Sequence, residues 1–287
     1  MLIYNRSART NNNLLVKMNP QANFNEFNEL INQKPIEKYK CNLDLVYVIR
    51  PGEINTDLRY SLRSIEKFCS FRKIWIVGFK PKWVQNVGYI PTVQNLSKWQ
   101  NSTINCIAAC KSNEISENFV LMNDDFFAIR PIKDWVKDTN VCLGQLSDYV
   151  EKFSNLKNPS KWQAAFKPVD SLLKKLGCSQ TYNYEAHLPM LINKKKFLNA
   201  ISQPEAKRLE ESNQIIHKRS LYKNLYPEAT EPRRIKDVKV EMCSDIFVDR
   251  LTENWISTYD GMLNSTLYPK LNYLLLNLFN KPSVYEK

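Results

Sequence analysis

Continuous apolar runs alternate with helical patterns in the first half of the chain. The runs cover residues 43–49, 73–78 and 119–122, which is the length of buried strands. Apolar residues at helical spacing lie between them, at about 56–68 and at 102–110. Because a strand–helix–strand unit crosses over in the right-handed sense, the first two strands are expected to be parallel neighbours.

Turn and cap residues mark the borders of these elements. Residues 51–52 (Pro-Gly) end the first strand, and either Thr56 or Asp57 is expected to cap the helix that follows. Residues 1–40 are polar and rich in asparagine, and apolar residues at helical spacing within 24–31 predict one short amphipathic helix there.

The chain after about residue 134 has a mainly helical, lysine-rich pattern. Candidate helices lie near residues 145–156, 168–177, 194–201 and 204–225. A proline-bearing connector at 226–234 leads to a short strand at 238–243 and a closing helix near 268–279. This last helix is rich in leucine, which favours a core helix over one lying on a membrane surface.

Together these patterns predict an α/β protein with a mostly parallel sheet and a helical, lysine-rich C-terminal subdomain. We divide the chain into a polar N-terminal segment at 1–40, an α/β core at 41–135 and a helical part at 136–287. The helical part is expected to complete the same functional unit, since no clean boundary separates it from the core.

Composition narrows the class of protein and the kind of partner. The chain has 287 residues, of which 43% are hydrophobic, so it can bury a core and is not a disordered protein. Glycine is scarce, with 6 residues, which argues against glycine-rich nucleotide loops. The net charge of +12 favours a polyanionic partner such as nucleic acid, an anionic glycan or a membrane surface.

Cysteine usage and hydropathy bear on the compartment. The seven cysteines include no Cys-x-x-Cys pair and indicate free thiols in a reducing environment. We find no secretory signal and no run of 18 apolar residues that could form a transmembrane segment. These features predict a soluble, cytoplasmic protein.

The sharpest chemical signal is Asn123-Asp124-Asp125, directly after the third strand. In open α/β sheets, ligands bind beyond the carboxyl ends of the strands. Adjacent carboxylates repel each other, and burial raises their pKa values unless a cation neutralises them, a role that suits Mg²⁺ or Mn²⁺. Such a metal would bridge the diphosphate of a nucleotide sugar. The alternative is a strand-end turn in which an aspartate caps the next segment.

Arg59 and Arg63 lie four residues apart, on one face of the first predicted helix. Two guanidinium groups there could bind phosphate oxygens in bidentate fashion. The alternative is that each pairs with Asp57 or Glu66 on a solvated surface.

His187 is flanked by apolar residues and could serve as a general base or bind a phosphate, although a single histidine is more often structural. The basic run 217–219 ends in Arg219, which could reach an anionic substrate or lie on a helix surface. With 194–196 and 233–234, this run concentrates basic clusters in the second half, near aromatic residues, as a nucleic-acid surface requires.

Four ordered blocks between residues 43 and 130 resemble those of one protein family. The blocks are Asp44-Leu-Val-Tyr47, Leu58-Arg-Tyr-Ser-Leu-Arg-Ser-Ile-Glu66, Lys73-Ile-Trp-Ile-Val77 with Pro81-Lys-Trp83, and Asn101-Ser102 followed by Phe119 to Phe126. In combination they resemble the Stealth family, sugar-phosphate transferases of capsule polysaccharide synthesis that are related to the lysosomal-enzyme GlcNAc-1-phosphotransferase. His187 and Arg219 resemble a later His and Arg of the same family.

The resemblance implies a GT-A-like, Rossmann-like core at 41–135 that binds a nucleotide-sugar donor, with 136–287 on the acceptor side. It implies that Asp124 and Asp125 hold a divalent metal (Mg²⁺ or Mn²⁺) and act in catalysis, with His187 as the base. Substrate or phosphate contacts are implied for Asp44, Arg59, Arg63, Asn101, Ser102, Asn123 and Arg219.

The chain departs from the family pattern in two places. Residues 49–53 (Ile-Arg-Pro-Gly-Glu) stand where the family has Trp-Val-x-Gly-x-Asp, and 241–245 stand loosely where an Asn-Asp pair is expected. The transferred group is therefore left open between a glycosyl group and a sugar phosphate.

The sequence thus predicts a metal-dependent transferase that moves one of these groups from a nucleotide sugar to a hydroxyl of an anionic polymeric acceptor. A polysaccharide is the acceptor that the resemblance implies. Two alternatives stay open: a phage-type glycosyltransferase acting on hydroxymethylated DNA bases, and a non-catalytic nucleic-acid-binding protein. A metal-dependent nuclease is a weaker fourth possibility.

Overall fold

The computed structural model describes residues 28–211, 215–239, 253–259 and 269–287. In these ranges the strands are β1 (Asp44–Ile49), β2 (Ile74–Gly78), β3 (Gly88–Pro91), β4 (Asn118–Met122), β5 (Phe126–Ala128), β6 (Val141–Cys142), β7 (Met190–Asn193), β8 (Arg233–Arg234) and β9 (Trp255–Ser257). The helices are α1 (Thr56–Phe68), α2 (Lys98–Lys111), α3 (Trp135–Thr139), α4 (Leu146–Ser154), α5 (Lys161–Ala164), α6 (Phe166–Lys175), α7 (Lys194–Ile201), α8 (Pro204–Glu211), α9 (Lys218–Leu225) and α10 (Pro269–Leu278).

A five-stranded sheet with the order β3-β2-β1-β4-β7 forms the centre of the fold. The first four of these strands are mutually parallel, and β7 pairs antiparallel with β4. The three predicted strands and the parallel pairing of β1 with β2 are therefore confirmed, as is the α/β class. The sheet is compatible with a Rossmann-like core. Its edge strand β7 comes from the part of the chain predicted to be helical.

Hydrophobic cores lie on both faces of this sheet, because successive residues of a strand point to opposite sides. Leu45 and Tyr47 of β1 pack in the core that contains α1 and α10. Val46 and Val48 pack in the core that contains α2, α7 and α9. Full burial of a side chain of this size stabilises the fold by about 1.5–3 kcal/mol. The sheet is thus packed on both faces, and this packing holds the residues at its carboxyl edge in place.

Helix α1 begins after Asn55, so the prediction of Thr56 or Asp57 as its cap is wrong. The Asn55 side chain accepts a hydrogen bond from the N–H of Leu58 at 3.0 Å, while its backbone is left-handed, with a φ of 32°. Asparagine tolerates this conformation better than most residues. Asp57 instead accepts a hydrogen bond from Thr258 at 2.8 Å.

The single helix predicted at 204–225 is also wrong, because α8 and α9 are separate helices and residues 215–217 between them are not helical. The carboxylate of Glu185 accepts the N–H of Ser220 at 2.9 Å, in the first turn of α9. An acceptor from elsewhere in the chain therefore satisfies an N–H that a continuous helix would have bonded internally.

The closing helix α10 confirms the prediction of a core helix, since Leu271, Leu274, Leu275 and Leu278 are buried. No helix in the described ranges has both the length and the apolar character to cross a bilayer.

Two other predicted elements fall partly outside the described residues. Residues 28–31 are helical and bury Leu30, but the rest of the predicted N-terminal helix lies outside. Of the strand predicted at 238–243, residues 240–243 lie outside, and Lys239 forms a single parallel bridge with Ser257. The loosely matching block at 241–245 lies outside as well.

Gly78 permits a close approach of chain segments at the carboxyl end of β2. Its φ is 110°, in the region that favours glycine. A Cβ at this position would lie 2.3 Å from the carbonyl oxygen of Ile49 and 2.6 Å from the Nδ2 of Asn105. No other residue type fits here without displacing either β1 or α2.

Candidate functional site

A pocket of about 440 Å³ lies at the carboxyl ends of β1 and β4. Its walls include Arg50 after β1, the turn after β4, the first turns of α2 and α9, and the segment 185–187. Open α/β sheets bind their ligands at this edge. The pocket therefore lies where the sequence predicted the chemistry.

Six of the predicted site residues share this pocket although they come from distant parts of the sequence. They are Ser102, Asn123, Asp124, Asp125, His187 and Arg219. The parallel pairing of β1 with β4 and the antiparallel addition of β7 bring these segments together.

The acid pair is held from two sides by side chains of other elements. The Nδ2 of Asn55 donates to the Oδ2 of Asp124 at 2.9 Å. The hydroxyl of Ser257 in β9 donates to the Oδ2 of Asp125 at 3.0 Å. Strand β9 pairs with β5, which directly follows the two acids. The position of Asp124 and Asp125 is therefore fixed by this two-stranded sheet as well as by the five-stranded sheet.

The two carboxylates of this pair repel each other. Burial first, and then the neighbouring charge of Asp125, raise the pKa of Asp124 to about 6, against the opposing effects of Asn55 and Arg50. A carboxylate in this situation is stabilised by any cation that enters the pocket.

The donor set fits a metal that is shared with a substrate. Among the described residues, no group of three or more His, Cys, Asp or Glu side chains is placed to hold a metal. Mg²⁺, however, is commonly held by one or two carboxylates and completes its coordination with waters and substrate phosphates. Asp124 and Asp125 therefore match a site of that open kind rather than a closed protein cage.

His187 is paired with Asp237, a residue that the sequence analysis did not identify. The Nδ1 of the imidazole lies 2.9 Å from the Oδ2 of Asp237 and 3.2 Å from its Oδ1. Burial would raise the pKa of Asp237, but the hydrogen bond and charge of His187 outweigh it and the net shift is downward. The two residues are 50 positions apart. No local sequence pattern could have predicted the contact between His187 and Asp237.

Five basic residues also line the pocket: Arg50, Lys98, Lys218, Arg219 and Lys239. The Nζ of Lys218 donates to the hydroxyl of Ser102 at 3.0 Å, which joins the first turns of α9 and α2. The pocket thus combines two neighbouring acids with several cations, an arrangement that suits a ligand carrying phosphates and a metal.

Arg219 is buried and donates from its guanidinium to the carbonyl oxygens of Ala186 and Leu188. It therefore holds the backbone on both sides of His187. Burial lowers the pKa of Arg219, against the raising effects of the Glu185 and Asp125 charges. The charge of Arg219 thus stabilises the carboxylates of Glu185 and Asp125.

His217 has a structural environment next to the pocket-lining residue Glu185. Its ring is buried against Phe166, and its Nε2 lies 3.0 Å from the carbonyl oxygen of Trp162. Burial would raise the pKa of Glu185, but the hydrogen bond and charge of His217 bring it down to about 2. His217 therefore stabilises Glu185 as the charged acceptor at the start of α9.

Two of the predicted contact residues lie in other surroundings. Asp44 is at the amino end of β1, the opposite edge of the sheet, where it binds the guanidinium of Arg72 and accepts the N–H of Ser116 at 2.8 Å. The buried amide of Asn101 is bonded to both backbone groups of Leu96 and holds the turn before α2. Neither residue lines this pocket, because each satisfies a local structural need, and the substrate contacts implied for them stay predictions.

The structure also corrects the placement of Arg59 and Arg63, which do not line this pocket. The Nε and Nη2 of Arg63 each donate to the Glu286 carboxylate at 2.7 Å, and the Nη1 of Arg59 donates at 3.1 Å. The Arg59 guanidinium also lies 3.9 Å from the ring centroid of Trp83. The physical reason is the C-terminal segment, which brings the buried side chain of Glu286 between the two arginines. Neither the phosphate role nor pairing with Asp57 or Glu66 predicted this partner.

Several pocket residues escaped the sequence analysis, among them Lys98, Trp99, Asn105, Trp162, Glu185, Lys239 and Tyr259. Arg50 stands within the stretch noted as a departure from the family pattern. Its position one residue after β1 was the one available signal, since residues that follow parallel strands gather at the same edge.

Two comparisons with known proteins bear on the identity of the chain. No protein-family model matches its sequence. A search of curated proteins gives no match either. A functional conclusion therefore depends on the pocket and on the four sequence blocks between residues 43 and 130.

Proposed function

We propose that this chain is a metal-assisted transferase that moves a glycosyl or sugar-phosphate group from a nucleotide sugar to a hydroxyl of an anionic polymeric acceptor. One observation carries the proposal. Asp124 and Asp125, beyond the carboxyl end of a parallel strand, share a pocket with His187 and with five basic residues. The similarity of the four blocks to the Stealth family supports the same conclusion.

In this proposal the donor lies with its diphosphate at the acid pair. Asp124 and Asp125 hold Mg²⁺ or Mn²⁺, which when bound neutralises charge on the phosphates. Arg219 and Lys218 supply further positive charge where the leaving phosphate becomes more negative. Since Arg59 and Arg63 are bonded to Glu286, we assign the phosphate contacts that the resemblance implied for them to the basic residues of the pocket.

His187 removes the proton of the acceptor hydroxyl in the proposed reaction. The O–H bond breaks, its proton passes to the Nε2 of His187, and the oxygen attacks the sugar carbon or the phosphorus. The bond to the leaving group breaks with its electron pair on the departing oxygen. Nucleoside diphosphate leaves in glycosyl transfer, and nucleoside monophosphate leaves in sugar-phosphate transfer. A positioned general base contributes about 10²–10⁴-fold to such a step.

Exposed lysines along the segment from α4 to α6 support a polyanionic acceptor. They are Lys152, Lys157, Lys161, Lys167, Lys174 and Lys175, of which Lys174 is ion-paired with Asp170. Helix α5 brings one of them next to the pocket, because Trp162 lines the pocket and the adjacent Lys161 is exposed. This charge supports modified DNA as a second candidate acceptor beside an anionic polysaccharide, since both are dense in negative charge.

A donor screen tests the proposal. The protein is incubated with nucleotide sugars, Mn²⁺ and either an anionic polysaccharide or hydroxymethylated DNA, and mass spectrometry records the mass added to the acceptor. We expect addition with one donor class, loss of addition in excess chelator, and loss in Asp125→Asn. The matched control is Asp148→Asn, which removes the same charge from an exposed position on α4. Full turnover in chelator would refute the metal role, and absence of transfer from every donor would refute the proposal.

Binding measurements separate the two acceptors. If DNA is the acceptor, its affinity falls linearly with the logarithm of the salt concentration, with a slope that reports several phosphate contacts. Absence of DNA binding at low salt would remove this candidate and leave the polysaccharide.

A further inference from the structure

Asp237 holds His187 through both of its carboxylate oxygens, which contact the ring nitrogen at unequal distances, and Oδ1 has backbone partners as well. Oδ1 accepts the backbone N–H groups of His187 and Lys239, each at 3.3 Å. Oδ2 makes the shorter contact with the ring, 2.9 Å from Nδ1. The carboxylate is therefore oriented by the backbone, with Oδ2 as the nearer of its two oxygens to the imidazole.

The segment that carries Asp237 is itself well anchored. The N–H of Ile235 donates to the carbonyl of Cys142 at 2.9 Å, directly after the β6–β8 pairing. On the other side, Lys239 forms a bridge with Ser257 in β9, the residue that also bonds Asp125. The same short segment thus connects the support of the histidine with the support of the acid pair.

We propose that Asp237 is the positioning residue that keeps the proton of neutral His187 on Nδ1 and leaves the Nε2 lone pair for the acceptor hydroxyl. A carboxylate can only accept, so the ring nitrogen beside it carries the hydrogen. The other ring nitrogen is then the base. When Nε2 takes up the acceptor proton, the ring becomes cationic, and Asp237 stabilises that charge directly. This inference rests on the proposed function, because it gives His187 its part in the transfer.

The substitution Asp237→Asn separates this role from simple packing. The two backbone N–H groups require an acceptor at the Oδ1 position, so the amide oxygen of the asparagine is held there. Its NH₂ group must then replace Oδ2 and donate to Nδ1 of His187. We expect this shorter contact, rather than the 3.2 Å contact at the Oδ1 position, to decide the tautomer and to place the hydrogen on Nε2, although the side chain has almost the same shape. The inversion reports which group Asp237 presents to the ring, which simple packing would not change, and the kinetics then report whether that group matters to the reaction.

Nitrogen-15 NMR of the imidazole rings reads out the tautomer without donor or acceptor. The chain has 2 histidines, so two ring spectra have to be assigned. His217, whose Nε2 is bonded to the carbonyl of Trp162, is the internal reference. At a pH where the rings are neutral, we expect Nδ1–H for His187 in the wild type and Nε2–H in Asp237→Asn, with His217 unchanged. Nε2–H in the wild type, or the same tautomer in both proteins, would overturn the proposal.

Kinetics supply the second readout. By analogy with other histidines held by a carboxylate, Asp237→Asn should lower kcat by roughly 10²–10⁴-fold while the donor KM stays within about threefold. Unchanged kcat would refute the role in the reaction, and loss of the cooperative thermal unfolding transition would identify Asp237 as structural. Asp237→Ala supplies neither an acceptor nor a donor. If the carboxylate determines the tautomer of His187, this variant should give a mixture of both tautomers. If the wild type transfers nothing, the proposed function fails, whereas the spectra still decide the role of Asp237.

Discussion

Two groups of charged side chains in this molecule show opposite electrostatic conditions. Around Glu286, two guanidinium groups contact one carboxylate directly; burial would raise its pKa, but Arg63 above all brings it down to about 2. At the acid pair, burial and a second carboxylate raise the pKa of Asp124 to about 6. In the first group the carboxylate is already paired with two cations and needs no further one. The second gains from an added cation, and this difference distinguishes a structural cluster from a candidate site.

The largest effect expected from this difference concerns turnover. Asp124→Asn and Asp125→Asn should each lower transfer by roughly 10³-fold or more, because the metal and diphosphate lose a ligand in the pocket. The folded state should not suffer in Asp124→Asn, since the pKa of Asp124 is raised in the fold and removing its charge stabilises the fold by about 1 kcal/mol at pH 7. Mass spectrometry of the product and chemical unfolding measure the two effects. Retention of more than a tenth of the turnover would remove the acid pair from the reaction.

The arginine cluster should show the reverse pattern, with stability affected first. Arg63→Ala should lower the free energy of unfolding by about 3 kcal/mol, because it leaves the buried carboxylate of Glu286 with Arg59 as its one cationic contact beside the neutral donors of Ser283. Urea unfolding measures this loss. A stable variant that nevertheless loses turnover would contradict the comparison and restore the phosphate role that the resemblance implied for Arg63.

The free energy of unfolding at acidic pH sharpens the comparison further. The pKa of Glu286 is lowered from 4.5 to about 2, so its contribution is fully present above pH 4.5 and disappears as the pH falls through about 2. Unfolding free energies of the wild type and Glu286→Gln should therefore differ by about 2 kcal/mol near neutral pH and converge near pH 2. A difference that is constant over this range would show that the ion pairs do not stabilise the fold.

The smallest effect is expected at Arg59. Its side chain is 32% exposed, against 17% for Arg63, and it makes one contact with Glu286 where Arg63 makes two. Arg59→Ala should therefore cost about 1 kcal/mol in the same urea experiment. A loss equal to that of Arg63→Ala would show that the stacking of Arg59 on Trp83 carries more of the stability than the ion pair.

The parts of the fold that the sequence predicted have local causes. Apolar runs such as 43–49 form strands because both of their faces are buried, and the stripe of α1 repeats at helical spacing. Strand β7 gave no such signal, since two of its four residues are only partly buried and it is stabilised by pairing with β4. The break before α9 depends on Glu185, more than 30 residues away. The cause of this break is therefore a tertiary contact and not a local sequence pattern.

The site divides in the same way. Asp124 and Asp125 were identified because they directly follow a strand, and their chemistry needs little else. Arg59 and Arg63 were misplaced because their partner lies more than 220 residues further along the chain. The spacing of the two arginines was informative, but it could not distinguish a phosphate from a carboxylate, as both are planar or compact groups of oxygen acceptors. Asp237 was missed for the same reason of distance.

The close packing around Gly78 restricts the residue that homologous chains can have at this position. A methyl group there would push against Asn105, which lines the pocket, and against the last carbonyl of β1. A homologue that keeps this close packing is therefore expected to have glycine at the position of Gly78. In a chain with only 6 glycines, that position would help to recognise distant homologues whose overall similarity is low.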